Sequence, residues 1–147
     1  MIEKQKHRLL IRADSSLAIG GGHMVRCLNL AEGWIKMGGS VTFVSVNFFS
    51  AFEQRAKDMG VEVVEISSSP GSVDDFEQTI KNAKNSQYVV LDGYSFDENY
   101  QRLIYSSGLI SLVIDDLPGN RHFFCDLILN QNLGFTTSDY IGLNSTE

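Results

Sequence analysis

The sequence has few cysteines, no long apolar run and no excess of positive charge, and each absence excludes a class of protein. Cys27 and Cys125 are the two cysteines among 147 residues, too few for the disulfide framework of a small secreted domain. Each has an apolar residue directly beside it, Leu28 or Phe124, so buried free thiols in a reducing cytoplasm are expected. No apolar run approaches the roughly 20 residues of a membrane helix, and the basic start leads only into the short run 9–11. Neither a membrane span nor a secretory signal is therefore predicted.

The charge balance argues against a nucleic-acid partner. With 12 Lys+Arg against 18 Asp+Glu, the net charge is −6, whereas non-specific binding of nucleic acid needs a positive face. The composition, 43% hydrophobic and 20% charged, is that of an ordinary soluble globular chain. A chain of this length usually forms one domain. The sequence therefore predicts a single cytoplasmic domain.

Short β-branched runs alternate with stretches of helical periodicity, a pattern typical of a parallel sheet covered by helices. Six strands are predicted at residues 9–13, 41–46, 61–66, 88–91, 110–114 and 127–129. Four helices are predicted, beginning near residues 23, 50, 72 and 97. The first, second and fourth end before or at the glycines at 38, 60 and 108, and the third ends after residue 83. Ser72 is expected to cap the third helix, with Asp75 in its first turn. The predicted class is α/β, with a Rossmann-like sheet.

Polar side chains follow most of the predicted strands at the point where each strand ends. The carboxyl ends of parallel strands share one edge of a sheet, and ligands bind along that edge. Asp and Asn are also common turn residues, so any single position has a structural interpretation. As a set, together with the glycine loop after the first strand, they predict a binding site; they are Asp14, Asn47, Asp92, Asp115, Asp116 and Asn130.

A glycine-rich loop, 19–23, joins the first strand to the first helix. Gly20, Gly21 and Gly22 allow backbone amides to approach a ligand closely, and the helix N-terminus favours an anion, so a phosphate or sugar-phosphate loop is predicted. A Gly-Lys-Ser/Thr ending is lacking, which excludes a nucleoside-triphosphate P-loop. The G-x-G-x-x-G pattern fails at Val25, and the second strand ends at Asn47 where a ribose-binding acid is expected. No dinucleotide cofactor, and no other cofactor, is predicted.

His23 lies in the first turn of the predicted helix, directly after the glycine loop. A helix N-terminus disfavours the imidazolium form, so the neutral ring that a general base requires is expected. The structural alternative is a histidine that only caps the helix or packs on the loop. His7 and His122 are expected at the surface. No Cys/His spacing supports a metal site.

Several segments resemble a known family in the right order along nearly the whole chain. Segments 12–16, 19–23 and 26–31 look like the opening of the nucleotide-sugar hydrolases of pseudaminic acid biosynthesis, a group that includes spore-coat polysaccharide biosynthesis proteins of the SpsG type. The resemblance continues through 90–94, 114–116 and 125–130. The glycine-histidine loop alone is shared with wider relatives such as the lipid II glycosyltransferase MurG, whereas the lead-in 12–16 and the Asp92-Gly93-Tyr94 element favour the narrower family.

The resemblance implies the N-terminal lobe of a two-lobed, GT-B-like enzyme that releases UDP from a 2,4-diacetamido-2,4,6-trideoxy sugar by inverting attack of water at the anomeric carbon. The family's proposed base corresponds to His23, and its site tyrosine to Tyr94. Asp14 is expected to position the water or His23, and Arg12 to bind substrate or to serve the structure. The expected binding residues are Gly20, Gly21, Gly22, Arg12, Asp92, Asp115 and Asn130.

The chain departs from the family in length. Residues 1–132 are expected to form the N-terminal lobe and 133–147 to begin the segment that leads to a second, nucleotide-binding lobe, which this sequence lacks. The expected partners of the chain are a UDP-sugar substrate and that missing C-terminal lobe of the same polypeptide, and the chain by itself is expected to be weakly active or inactive. Two alternatives remain open: a GT-B glycosyltransferase that uses a sugar hydroxyl in place of water, and a non-catalytic lobe that binds a glycan precursor.

Overall fold

The computed structural model describes residues 7–15, 21–117 and 122–140. In chain order its elements are β1 (Arg8–Ala13), α1 (Gly22–Lys36), β2 (Ser40–Ser45), α2 (Ser50–Asp58), β3 (Glu62–Glu65), α3 (Val73–Ala83), β4 (Tyr88–Asp92), α4 (Glu98–Ser106), β5 (Ile110–Ile114), β6 (Leu127–Leu129) and a 3-10 turn at Thr137–Asp139. The expected strands and helices are confirmed, and their boundaries coincide or differ by one or two residues because element ends fray into turns.

The six strands form one parallel sheet in the order β3-β2-β1-β4-β5-β6. Strand order reverses between β1 and β4, so a crevice opens at their carboxyl ends, where open α/β sheets bind ligands. The registers pair Ala13 of β1 with Asp92 of β4, and Asp92 with Ile114 of β5. Three of the predicted strand ends therefore meet at this crevice, and the Rossmann-like class is confirmed.

The two faces of the sheet have separate cores. Side chains of β1 alternate between them: Leu9, Ile11 and Ala13 pack with α1 and α2, whereas Leu10 packs with α3 and α4. Since successive strand residues point to opposite faces, Arg12 and Asp14 share the α3–α4 side with Leu10.

Both cysteines, Cys27 and Cys125, are buried and outside any disulfide, as the sequence predicted. Among the described residues, no helix combines the length and the apolar character that crossing a bilayer requires.

Ser72 is the N-cap of α3, and its side chain accepts a hydrogen bond from the Asp75 amide at 3.1 Å, as expected. The carboxylate of Asp75, however, turns into the protein and is fully buried. It accepts hydrogen bonds from Arg12 Nε at 2.9 Å and from Arg12 Nη2 at 2.5 Å. The first turn of α3 therefore supplies the counter-charge for a buried arginine in the central strand.

Candidate active site

A cleft of about 360 Å³ opens at the carboxyl ends of β4 and β5, beside the start of α1. Its walls also include the beginning of α4 and the segment before β6. The titratable side chains that line it are His23, Arg26, Tyr94, Asp97, Glu98, Asp115, Asp116 and His122. The glycine-loop histidine and the tyrosine after β4, 71 residues apart in the chain, thus share one cavity.

His23 is held by the last residue of β4. Its Nδ1 lies 2.5 Å from Asp92 Oδ1, and both side chains are almost completely buried. Two acceptor atoms at this separation would repel, so the shared proton is assigned to Nδ1, which donates to the carboxylate. This tautomer leaves Nε2 with its lone pair, as a base that faces a substrate needs.

Arg26 lies one turn after His23 on α1 and binds the same carboxylate. Its Nε and Nη2 donate to the two oxygens of Asp92, each at 2.5 Å, and its Nη1 donates to Asp116 Oδ2 at 3.1 Å. Burial alone would raise the pKa of Asp92, but the hydrogen bonds from Arg26 and His23 outweigh burial and lower that pKa below its usual value. Asp92 is therefore an anion over the physiological pH range.

Tyr94 stands beside the imidazole. Its ring meets that of His23 edge-to-face, with centroids 5.1 Å apart, and its hydroxyl donates to Asp116 Oδ1 at 3.0 Å. Partial burial and the acceptor Asp116 raise the pKa of Tyr94, so the phenol is neutral. Tyr94 as a whole is 57% exposed, which leaves it available for contact with a ligand.

Asp14 and Arg12 belong to a different cluster. Asp14 Oδ1 accepts from Arg12 Nη1 at 2.6 Å, from Ser45 Oγ at 3.0 Å and from the Val46 amide at 2.8 Å. Side chains of β1 and β4 alternate, so Asp14 lies on the α3–α4 face whereas Asp92 turns towards α1. The expected contact between Asp14 and His23 is therefore not observed.

Arg12 has no exposed surface and donates to Asp14 and Asp75, with the Phe96 ring 4.9 Å from its guanidinium carbon. Burial alone would lower the pKa of Arg12, but the hydrogen bonds to Asp75 and Asp14 outweigh burial and raise it. Of the two roles that the sequence left open for Arg12, this geometry favours the structural one.

The glycine loop is described from Gly21 onwards, and Gly20 lies outside the described residues. Gly21 is the N-cap of α1, and Gly22 is its first residue. A Cβ at Gly21 would come within 2.8 Å of the Phe52 ring, so the absence of a side chain permits a close approach between the loop and α2. Gly21 has no side chain with which to cap α1, and the N-terminus of a helix favours an anion.

Asp115 and Asn130 meet at Tyr140. The Tyr140 hydroxyl donates to Asp115 Oδ2 at 3.3 Å and accepts from Asn130 Nδ2 at 2.7 Å. Asp115 also lines the cleft, whereas Asn130 lines a second cavity together with Phe135 and Tyr140. The structure therefore brings Asp115, but not Asn130, to the cavity of His23.

Sequence reasoning missed one residue of the cleft, Arg26, and left another, Asp116, out of the expected binding residues. The spacing from His23 to Arg26 puts both on one side of a helix, which is a usable signal. Asp116 was recognised as a strand-end residue, but Asp115 was preferred to it. His122, expected at the surface, is exposed and borders the cleft.

The described residues contain no group of three or more His, Cys, Asp or Glu side chains that could hold a metal ion. Cys27 donates to Asp92 Oδ2 at 3.4 Å, and burial raises the pKa of its thiol well above the usual value. The neutral thiol is one more donor to Asp92.

The chain is 31% identical over 137 residues to the UDP-2,4-diacetamido-2,4,6-trideoxy-beta-L-altropyranose hydrolase of Campylobacter jejuni. The match includes 92% of this chain and 46% of that protein, so the chain spans about half the length of the relative. No protein-family model matches. The resemblance inferred from the motifs is confirmed by this similarity.

Two solved structures share the fold. A glycosyltransferase from Rickettsia africae matches 76% of this chain and 30% of its own, with a TM-score of 0.59 and 12% identity. MurG from Acinetobacter baumannii matches 77% of this chain and 35% of its own, with a TM-score of 0.51 and 15% identity. These likenesses confirm the Rossmann-like lobe of a GT-B protein as the fold.

Proposed function

We propose that this chain is the catalytic-base lobe of a nucleotide-sugar hydrolase, which releases UDP from a 2,4-diacetamido-2,4,6-trideoxyhexose. The observation that carries the proposal is the Asp92–His23 pair, whose histidine lines a cleft shared with Tyr94. The similarity to a hydrolase of that substrate class supports the choice of reaction. We place the reaction in the synthesis of a surface polysaccharide or nonulosonate, in the cytoplasm.

In the proposed reaction, water attacks the anomeric carbon from the side of His23. The new C–O bond forms as the bond to the diphosphate breaks, and the electron pair leaves on the diphosphate oxygen. Nε2 takes the proton of the water, while Nδ1 keeps its hydrogen bond to Asp92, which stabilises the imidazolium that results. Attack opposite the leaving group inverts the configuration at that carbon.

Other residues of the cleft bind and orient the sugar. The exposed ring of Tyr94 gives an apolar wall, and carboxylates such as Asp115 accept hydrogen bonds from hydroxyl or acetamido groups. The first amides of α1, from Gly22 onwards, suit the departing phosphate. Since the chain spans 46% of its relative, we propose that a second lobe supplies the remaining contacts to the nucleotide.

A glycosyltransferase is the second candidate, because the same base can deprotonate a sugar hydroxyl. The fold is compatible with both reactions, and glycosyltransferases have it. Acceptor-dependent product without hydrolysis would favour this candidate. Tight binding of the sugar nucleotide without any turnover would favour a non-catalytic lobe.

The test measures UDP release from the UDP-linked diacetamido sugar by the complete gene product that contains this chain. Loss of a general base typically slows a reaction by about 10²–10⁴-fold, so His23→Gln should lower kcat by at least about 100-fold. His7→Gln is the matched control, because His7 is exposed and packs against Tyr88 away from the cleft. Activity of His23→Gln within a few fold of the control would refute the role of His23.

A further inference from the structure

We propose that Arg26 is a positioning residue that ties Asp92 to Asp116 and so holds His23 and Tyr94 in one fixed unit. The inference rests on the proposed function for its purpose, because it explains how the base is kept ready. Its geometry stands independently, and its main test requires no substrate.

The contacts form an unbroken chain across three elements. His23 donates to Asp92, Arg26 binds both oxygens of Asp92 and one of Asp116, and the other oxygen of Asp116 accepts from Tyr94. The arginine is the one member that contacts both carboxylates. Its side chain is 13% exposed, so these hydrogen bonds are largely shielded from competing water.

The planar guanidinium matches this arrangement because its donors point in fixed directions. The Nε–Nη2 edge takes Asp92 in a paired geometry, and Nη1 remains for Asp116. Rotation of Asp92 would break two of these hydrogen bonds in addition to the one from His23. The imidazole orientation is thereby fixed by α1 and β4 together.

Arg26 also sets the charge around the imidazole. A carboxylate in contact with a histidine favours the imidazolium, which cannot act as a base. Arg26 places a positive charge against the same carboxylate, with Nη2 2.9 Å from His23 Nδ1, and so opposes the second proton. The other titratable groups around the ring and its cleft are Cys27 on α1, Tyr94 after β4, Asp97 and Glu98 at the start of α4, Asp115 and Asp116 after β5, and His122.

The test follows the pH at which the His23 ring gains its second proton, by NMR of the 147-residue chain. Arg26→Gln removes the positive charge and should raise this midpoint by about one pH unit, the lower end of the effect of a charge in contact. Arg26→Lys keeps the charge and should stay closer to the wild-type midpoint than Arg26→Gln. Arg55→Gln is the matched control, because Arg55 lies on α2 and its half-exposed side chain bonds Asn29, which does not line the cleft.

A second variant predicts the opposite sign. Asp116→Asn removes the anion that shares Arg26, so the midpoint of His23 should fall. A structural defect alone would not raise the His23 midpoint in Arg26→Gln and lower it in Asp116→Asn. Far-UV circular dichroism verifies that each variant is folded. His23→Gln assigns the resonance, and the His7 signal is the internal reference.

Arg26→Gln with an unchanged or lower midpoint would overturn the proposal. Should Arg26→Gln fail to fold, an unchanged or higher midpoint in Asp116→Asn would overturn it. In the complete gene product, the acidic limb of the pH–rate profile should move with the NMR midpoint. Shifts in NMR without any hydrolase activity would refute the proposed function and leave the charge coupling intact.

Discussion

The carboxylate of Asp75 is fully buried and accepts five hydrogen bonds, so replacing one of its oxygen atoms should cost much stability. Asp75 Oδ1 accepts from Arg12 Nε at 2.9 Å, Tyr100 Oη at 2.8 Å and Thr79 Oγ1 at 3.1 Å. Asp75 Oδ2 accepts from Arg12 Nη2 at 2.5 Å and from the Gly71 amide at 3.0 Å. Asp75→Asn keeps the shape and converts one acceptor into a donor.

The magnitude follows from what the new amide group faces. With Nδ2 in place of Oδ2, the donors Arg12 Nη2 and Gly71 N–H lose their acceptor inside the protein, and each such buried group costs about 1–3 kcal/mol. Removal of one partner from a buried ion pair costs about 3–5 kcal/mol. Asp14 still neutralises Arg12, so we expect a loss of about 3–5 kcal/mol and not more.

The assay is urea unfolding of the 147-residue chain, compared with the neighbouring variant Asp74→Asn. Asp74 lies in the same first turn of α3, is exposed and bonds Gln78, so its substitution should cost less than about 1 kcal/mol. At about 2–4 °C per kcal/mol for a chain near this size, Asp75→Asn should lower Tm by about 10 °C. Equal losses in the two variants would refute the structural role assigned to Arg12 and Asp75.

Two further predictions concern pH and a glycine. Burial would raise the pKa values of Asp75 and Asp92, but hydrogen bonds from Arg12 and Arg26 outweigh it and lower both below 3.8. The stabilisation of the fold by these two carboxylates is therefore fully present above about pH 5 and lost as pH falls below about 4. Urea unfolding between pH 7 and 3 measures this loss, and a constant free energy of unfolding would contradict it. Gly71→Ala should destabilise the protein by at least about 1 kcal/mol more than Gly60→Ala. Gly71 and Gly60 have the same φ of +78°, but only at Gly71 would an added Cβ meet the backbone oxygen of Ser95, at 2.0 Å. Equal thermal stability of the two variants would exclude that steric cost.

The candidate site was predicted in part. His23 and Tyr94 were identified with the roles now proposed, and the cleft contains both. Asp14 was expected to position the water or His23 but lies on the other face of the sheet, bonded to Ser45 and Arg12. Asp14 and Asp92 both follow or end a strand. A strand-end pattern in the sequence does not tell on which face of the sheet each side chain lies once the strands are paired.

The sequence by itself determined the strand and helix order, the polar carboxyl edge and the glycine-histidine loop, because hydrophobic period, turn residues and caps are local. Tertiary structure decided which charges meet. Arg12 finds Asp75 across 63 residues, and Arg26 finds Asp92 across 66 and Asp116 across 90. Such pairs depend on strand order, register and face, which no local pattern specifies. That is the physical reason why Arg26, an ordinary helix residue in the sequence, emerges only in the fold as the link between the base and its neighbouring tyrosine.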